Sequence, residues 1–255
     1  MTNPKFANSG ETGRTYSIPG YPPLTSVTTV LSAASKPALY GWYAKMAGVR
    51  AVEQEMEWHA IQAEEGDEAA RKWISAAARA YNEQRKWLGS AVHHLCETYD
   101  EPDTDPGLLD WYLDKMGGQK DKNLSVLNNH VWQYGEFLKE HQPTFLLKEA
   151  TVLHPVDRWA GTLDMVVEMG GKTYIGDIKT GGAYKETGLQ LAAYRHAALI
   201  VDGDETRPFT FDIDGGFVLE LKPKSYKVHY YDCGRDVYEV FLALKRYKCW
   251  LDGGE

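Results

Sequence analysis

Two apolar runs joined by a glycine turn constrain this chain more than any other stretch of it. The first runs from Leu163 to Val167 and the second from Lys172 to Lys179, and Met169-Gly170-Gly171 between them supplies a turn that tolerates positive φ. The pair predicts an antiparallel hairpin. Side chains alternate faces along a strand, so Asp177 and Lys179 project together while Ile178 points to the opposite, buried side. Asp164, carried by the partner strand, adds a second carboxylate. Clustered carboxylate oxygens suit a hard divalent ion, Mg²⁺ or Mn²⁺, far better than a thiolate metal.

A D-x-K triplet alone is a chance-level pattern in a chain of 255 residues. Its surroundings carry the meaning. After Lys179 come Thr180-Gly181-Gly182, a flexible turn, and then a helical stretch from about Lys185 to Ile200. Gln190 and Tyr194 are four apart there and share a face, with apolar surface from Leu191, Ala198 and Leu199. A rival triplet, Glu220-Leu221-Lys222, is also strand-like and has Asp212 and Asp214 upstream, where a first acid would stand. Pro223 follows it directly and no helix with polar residues at helical spacing comes next, so Glu220 and Lys222 are expected on an exposed strand face. Upstream, Leu88 to Glu97 predicts a helix that puts His93 and Glu97, four apart, on one side.

In this order the pieces resemble the PD-(D/E)XK nuclease superfamily, and within it the RecB-like exonuclease branch. The matching segments are Gly89 to Glu97, a strand glutamate at Glu149, Gly161 to Asp164, Asp177 to Lys179, and Gln190 to Tyr194. The remainder is similar to the standalone nucleases of this branch carried by bacteriophages, through Ser26-Val27-Thr28-Thr29-Val30-Leu31 and the Trp42 segment. The resemblance implies an α/β fold with a restriction-endonuclease-like core, a central mixed β-sheet flanked by helices, and a helical N-terminal subdomain. It also implies a chemistry. Asp164, Asp177 and the backbone carbonyl of Ile178 would hold Mg²⁺ or Mn²⁺, with His93 as a further ligand. Lys179 would orient or deprotonate the attacking water, or neutralise charge on phosphorus. Gln190 and Tyr194 would position the nucleophile or a DNA phosphate. Glu149 belongs to the set as well, although on the strand Leu146 to Leu153 a glutamate is usually only a solvated face.

The activity expected from the resemblance is a metal-dependent DNA exonuclease acting on linear ends, single- or double-stranded, in phage or bacterial recombination, repair or degradation. A structure-specific endonuclease on the same core is a second reading. A third is a non-catalytic DNA-end binding module, and a recombination protein partner and an oligomer stay open.

Composition bounds these readings. With 43% apolar residues the chain can bury one good core plus an appended subdomain. No apolar run approaches a membrane span, and no apolar segment of signal-peptide type follows Met1-Thr2-Asn3-Pro4, so no membrane partner is expected and the cytoplasm, the host's if phage-encoded, is the expected location. A net charge of −8 confines positive potential to local clusters. These are Arg71-Lys72, Arg85-Lys86, Lys222-Pro223-Lys224 with Lys227, and Lys245-Arg246-Tyr247-Lys248, of which some subset is expected to line a groove. Cys96, Cys233 and Cys249 cannot supply four thiolates, so no iron–sulfur cluster of the kind found in some relatives is expected. Cys96 and His93 have zinc-like spacing but lack close partners, and reduced core cysteines are expected instead. Gly170-Gly171-Lys172-Thr173 imitates the end of a phosphate-binding loop, yet Val166 stands where the first glycine is required, so no ATP is expected.

The organisation reads as an N-terminal arm or hairpin over 1–23, a mainly helical region over 24–142 that contributes the His93 motif, and the nuclease-like core over 143–255. Ser26 is expected to cap a short helix. Pro37 to Thr98 reads as helical, with Trp42, Trp58, Trp73 and Trp87 expected mostly in the core, or for one or two of them facing a channel for unpaired bases. Asp100 to Gly107 reads as a loop. Leu124, Leu127, Val131, Tyr134 and Leu138 fall on one face of a long amphipathic helix. Strands Gly216 to Leu221 and Tyr226 to Tyr231 extend the sheet, and a final helix covers Val237 to Trp250.

Overall fold

The N-terminal segment enters the sheet. In the computed structural model, which describes residues 5–10, 12–34, 38–100 and 106–253, β1 (Ala7–Gly10) and β2 (Gly13–Tyr16) form an antiparallel hairpin, and β3 (Leu24–Ser26) pairs with β2. Helix α1 (Val27–Leu31) follows. Ser26 occupies its N-cap position, but the hydroxyl meets Thr28 Oγ1 at 2.8 Å and makes no cap to a helix N–H, contrary to expectation.

Six helices succeed one another: α2 (Ala38–Glu53), α3 (Glu55–Glu65), α4 (Asp67–Ser75), α5 (Ala77–Glu97), α6 (Pro106–Met116) and α7 (Lys120–His141). Part of the loop expected over Asp100 to Gly107 is therefore helix, because Pro106 sits at a first helical position, where its missing N–H costs nothing; residues 101–105 lie outside the described residues. The rest comprises β4 (Thr144–His154), β5 (Trp159–Met169), β6 (Lys172–Lys179), α8 (Thr187–Arg195), β7 (Leu199–Asp202), β8 (Glu205–Pro208), β9 (Gly215–Lys222), β10 (Ser225–Tyr231) and α9 (Arg235–Leu251). The expected hairpin is β5–β6, in register from Met165↔Gly176 to Met169↔Lys172. Gly170 and Gly171 close it at φ 59° and 74°, the left-handed pair that a two-residue type I′ turn demands. Helix α8 stops at Arg195, short of the expected Ile200. Leu199 and Ile200 instead pair with Leu153 and Val152, since β-branched Ile200 and Val201 gain more from the sheet than from another helical turn.

The mixed sheet of ten strands branches at β5. On one side β4 runs antiparallel to it along nearly its whole length. On the other side β3 pairs parallel at Trp159 and Ala160, and β6 pairs antiparallel from Met165 onward. Residues 161–164 fall in the fork between those two partners. Beyond β6 lie β9, parallel to it, and β10, antiparallel to β9. This is a mixed α/β fold.

Two compact units are distinguished: Met1–Ala34, Val92–Pro102 and Ser125–Glu255 form one, and Ser35–Ala91 with Asp103–Leu124 form the other. The first contains the whole sheet, so residues 92–100 and 125–142 group with the strands and His93 belongs to the unit that carries the acids. Its main core sets α1, α8 and α9, with Val27, Leu191, Tyr238 and Phe241, against Val152, Trp159, Ile175 and Val218. Phe137 of α7 packs on Phe217, with ring centroids 6.1 Å apart.

The second unit is helical. Its tryptophans depart from the expected core placement: Trp42, Trp58, Trp73 and Trp87 are all only half-buried. Helix α3 buries no residue, and Trp58, flanked by Glu57 and His59, uses its indole N–H on the Ala51 carbonyl at 3.0 Å. Arg50 lies over the Trp73 ring at 4.6 Å. A ring of this size stays partly wet wherever neighbouring elements cover only one of its sides. Among the described residues no helix is long and apolar enough to cross a membrane.

Candidate metal centre

The fork in the sheet creates the site. After Gly176, β6 has no partner on β5 and continues alongside β9, with Asp177↔Val218, Ile178↔Leu219 and Lys179↔Glu220. The Ile178 N–H donates to Asp164 Oδ2 at 2.6 Å, so a carboxylate replaces the missing ladder partner. Asp177 is 1% exposed. Lys179 Nζ donates to its Oδ1 at 2.9 Å and lies 2.7 Å from its Oδ2, and Gln190 Nε2 donates to Oδ1 at 2.8 Å. Apart from the ionic contact with Lys179, Asp177 Oδ2 accepts no hydrogen bond among the described residues. Lys179 itself keeps 32% of its side chain exposed, within reach of a ligand.

Helix α5 brings His93, whose Nδ1 is 3.4 Å from Asp164 Oδ2. Strand β4 brings Glu149, which stands opposite Asp164 between the pairs Lys148↔Met165 and Ala150↔Leu163. Glu149 has φ 45°, a left-handed backbone that costs a non-glycine residue on the order of 1–2 kcal/mol and that clusters at functional sites. His93, Glu149 and Asp164 each offer a ligand atom within 4.8 Å of the others. Ligands on opposite sides of a small divalent ion lie about 4.2 Å apart, so the three need close only slightly to share one. A cavity of about 10 Å³, bordered by these three with Glu97 and Ile178, adjoins them and has room for one water-sized sphere.

The electrostatics follow from crowding. Burial, then the neighbouring carboxylates of Asp164, Glu97 and Asp177, push the Glu149 carboxyl up to about 9, so it is protonated at neutral pH. Burial likewise raises Asp177, against the opposing pull of Lys179. At Lys179 burial pulls downward, but the carboxylates of Asp177 and Asp164 outweigh it and hold the ammonium above its usual range. One imidazole nitrogen, two facing carboxylates and an underused buried oxygen on Asp177 fit a hard or borderline divalent cation, Mg²⁺ or Mn²⁺. The proton on Glu149 is the one such an ion would displace.

Of the residues the sequence nominated, His93, Asp164 and Glu149 converge at these ligand distances. The Asp177 carboxylate faces Lys179 and Gln190, and the Ile178 amide serves Asp164. Gln190 and Tyr194 are buried; Gln190 orients Asp177, and the Tyr194 hydroxyl is hydrogen-bonded with Gln190. A Cβ on Gly161 would lie 2.7 Å from Tyr194 Cε1, which explains why glycine opens the Gly161-Thr162-Leu163-Asp164 segment.

Several expectations need correction. Glu220 is not on an exposed face: β9 is an interior strand between β6 and β10, which leaves Glu220 7% exposed and tied to Lys222 at 3.0 Å and His229 at 2.9 Å. His229 was missed by sequence reasoning; its one signal is the alternation Lys227, His229, Tyr231, which puts it on a single strand face. Lys248, nominated for a basic groove, is 9% exposed and pairs with Asp252 and the Thr12 carbonyl. Cys96 and Cys233 are buried and free, whereas Cys249 is free but only half-buried, because it lies on a partly exposed side of α9.

No protein-family model matches this sequence, and no curated protein matches it. Among solved structures, the crystal structure of SSO0001 is similar with a TM-score of 0.33 and 11% identity, over 66% of this chain and 74% of that one. A likeness at that level fixes neither a fold family nor a function.

Proposed function

We propose that this chain is a divalent-metal-dependent deoxyribonuclease of the PD-(D/E)XK type, with a restriction-endonuclease-like core and exonuclease activity on linear DNA ends. The observation that carries this reading is the meeting of His93, Glu149 and Asp164 within 4.8 Å beside an Asp177–Lys179 ion pair. Asp164 links the two halves by holding the Ile178 amide between Asp177 and Lys179. A solvated surface cluster has no need of a strained Glu149 backbone, a buried Asp177 and a glutamine dedicated to orienting it.

His93, Glu149 and Asp164 would hold the ion, with the spare Asp177 oxygen and the Ile178 carbonyl as additional donors. When bound, the ion supplies Lewis-acid polarisation of a phosphodiester oxygen and acidification of water. Lys179 contributes as a cation. Its ammonium, kept protonated by Asp177 and Asp164, donates hydrogen bonds to the attacking water or to a non-bridging phosphoryl oxygen and offsets charge that grows at phosphorus. Gln190 fixes the carboxylate that fixes Lys179. Tyr194, packed over Gly161, holds the strand on which Asp164 stands.

The test is incubation of linear and closed-circular DNA with Mg²⁺, Mn²⁺ or EDTA. Loss of linear DNA alone, abolished by EDTA and by Lys179→Ala, is the expected result. Cutting of the closed circle would replace the exonuclease with an endonuclease, and binding without products under every metal condition would remove the enzyme reading.

A further inference from the structure

The strand beyond the candidate metal centre carries a second charged group that metal chemistry does not use. Glu220 is the acid in an otherwise apolar stretch of β9, among Phe217, Val218, Leu219 and Leu221, each 0% exposed. Isolating a carboxylate there is costly, and an apolar residue of similar size would hold the strands together as well. The carboxylate instead binds two basic side chains, one on each oxygen: Lys222 Nζ at 3.0 Å from Oε1 and His229 Nε2 at 2.9 Å from Oε2. Burial works against ionisation of Glu220, but the hydrogen bonds from His229 and Lys222 prevail and keep it ionised.

Register fixes where these groups emerge. Lys179, Glu220 and Lys227 form one row across β6, β9 and β10, and Asp177, Val218 and His229 form another two residues away. Residues in one row share a sheet face, and residues two apart on a strand do so too. Lys222, Lys227 and His229 therefore emerge on the face that carries Asp177 and Lys179. Helix α8 covers the start of that face, where Leu191 meets Gly216 and Gly188 meets Tyr231. The rows past it lead outward, with Lys222 57% and His229 25% exposed. Lys222 stands one strand over and two residues further than Glu220's row-mate Lys179. That is about 8 Å across the sheet, close to the reach between neighbouring phosphates of one strand. In a chain of net charge −8, a cationic strip anchored on a buried acid and leading away from the candidate site is a placed feature.

We infer that Lys222 and His229, held side by side by Glu220, form a phosphodiester-binding subsite that grips the nucleic-acid backbone beside the scissile phosphate. This rests on the reading of the Asp177–Lys179 region as the cleavage site. Lys227 extends the strip to β10, and Glu220 acts through Lys222 and His229 as a positioning residue.

The experiment measures binding apart from cleavage. Fluorescence anisotropy of a fluorescein-labelled single strand and duplex of about 12 nucleotides is followed in Ca²⁺ and in EDTA from about 50 to about 200 mM salt. Lys222→Ala and His229→Gln should each weaken binding about three- to tenfold, and Lys222→Ala should lower the slope of log affinity against log salt by about one. The conservative Lys222→Arg should restore most of both. Lys5→Ala, which removes a lysine paired with Asp204, should leave the slope unchanged. Wild-type slope in Lys222→Ala, an equal loss in Lys5→Ala, or no DNA binding by the wild type in either condition would each overturn the subsite. A change in melting temperature with no change in slope would reduce the group to a structural tie and overturn it as well. A protein that shows the expected slope change but cuts no DNA keeps the subsite and loses the nuclease reading. One that cuts DNA while Lys222→Ala keeps the wild-type slope does the reverse.

Discussion

Gln190 donates its side-chain amide to Asp177 Oδ1 over 2.8 Å, from a helix that begins eight residues after Lys179 to a carboxylate that is 1% exposed. The bond occupies Oδ1 and, with the Lys179 contacts to both oxygens, fixes the orientation of the carboxylate. Gln190→Ala should therefore lower activity and metal affinity about 10- to 100-fold, the usual cost of removing a group that orients a site residue. Titration of Mn²⁺-supported DNA cleavage reads both. Unchanged metal dependence and turnover would show that Asp177 needs no such support.

Glu149 gives a pH signature with a definite sign. Its carboxyl holds a proton up to about 9 in the metal-free protein, against an ordinary value of 4.5. A metal ion must displace that proton, so Mn²⁺ affinity should rise with pH toward about 9 by up to about tenfold per unit and then level. Calorimetry in buffers of different ionisation enthalpy should find a proton released on binding. The stability of the metal-free protein should run the other way. The folded chain keeps a proton that the unfolded chain has lost, so stability present at acid pH is lost as pH rises from about 4.5 to about 9. Glu149→Gln should flatten both profiles, and a flat wild-type profile would contradict the crowding of Glu149 by Asp164.

Gly161 and Tyr194 form a steric pair. Gly161→Ala places a methyl group 2.7 Å from the Tyr194 ring and should cost about 1–3 kcal/mol in urea denaturation. Because the ring is 3% exposed and cannot swing into solvent, relief should come from shortening it. In a double-mutant cycle, Gly161→Ala should cost less in a Tyr194→Leu background. Equal costs in both backgrounds would remove the contact as the reason for glycine.

Tyr238 links the start of the central strand to α9. Its hydroxyl accepts from Trp159 Nε1 at 2.9 Å and donates to Asp157 Oδ2 at 2.6 Å. Tyr238→Phe leaves the indole N–H of a 0% exposed tryptophan without an acceptor, which costs about 1–3 kcal/mol. The loss should appear as a lower urea midpoint with an unchanged m-value. Wild-type stability in this variant would show that another acceptor replaces the hydroxyl.

Much of the core was legible because its signals are local. Alternation and a glycine pair specified β5–β6, and β6 spans the expected residues 172–179. Spacing on α5 and α8 placed His93, Gln190 and Tyr194 on helices. Long-range pairing was not legible. Short strands β3, β7 and β8, of three or four residues each, carry too little pattern to announce themselves, and they form because a neighbour offers open backbone hydrogen bonds. The tryptophans of α2 to α5 misled for a related reason: a large apolar ring predicts burial only where other elements come to cover it.

Glu149 and Glu220 divide what the sequence alone determined from what tertiary structure decided. Sequence spacing determined the chemistry within reach, two acids and a lysine on one hairpin with a histidine helix before it and a glutamine–tyrosine helix after it. Which acids face one another was decided only when β4 came to lie against β5 and β9 against β6. That pairing brought Glu149 opposite Asp164, and β10 against β9 closed Glu220 between Lys222 and His229. The physical reason is that a residue's alternation tells which side of its own strand it occupies, whereas burial, ion pairing and protonation depend on the neighbouring strand, and strand order is a property of the whole sheet.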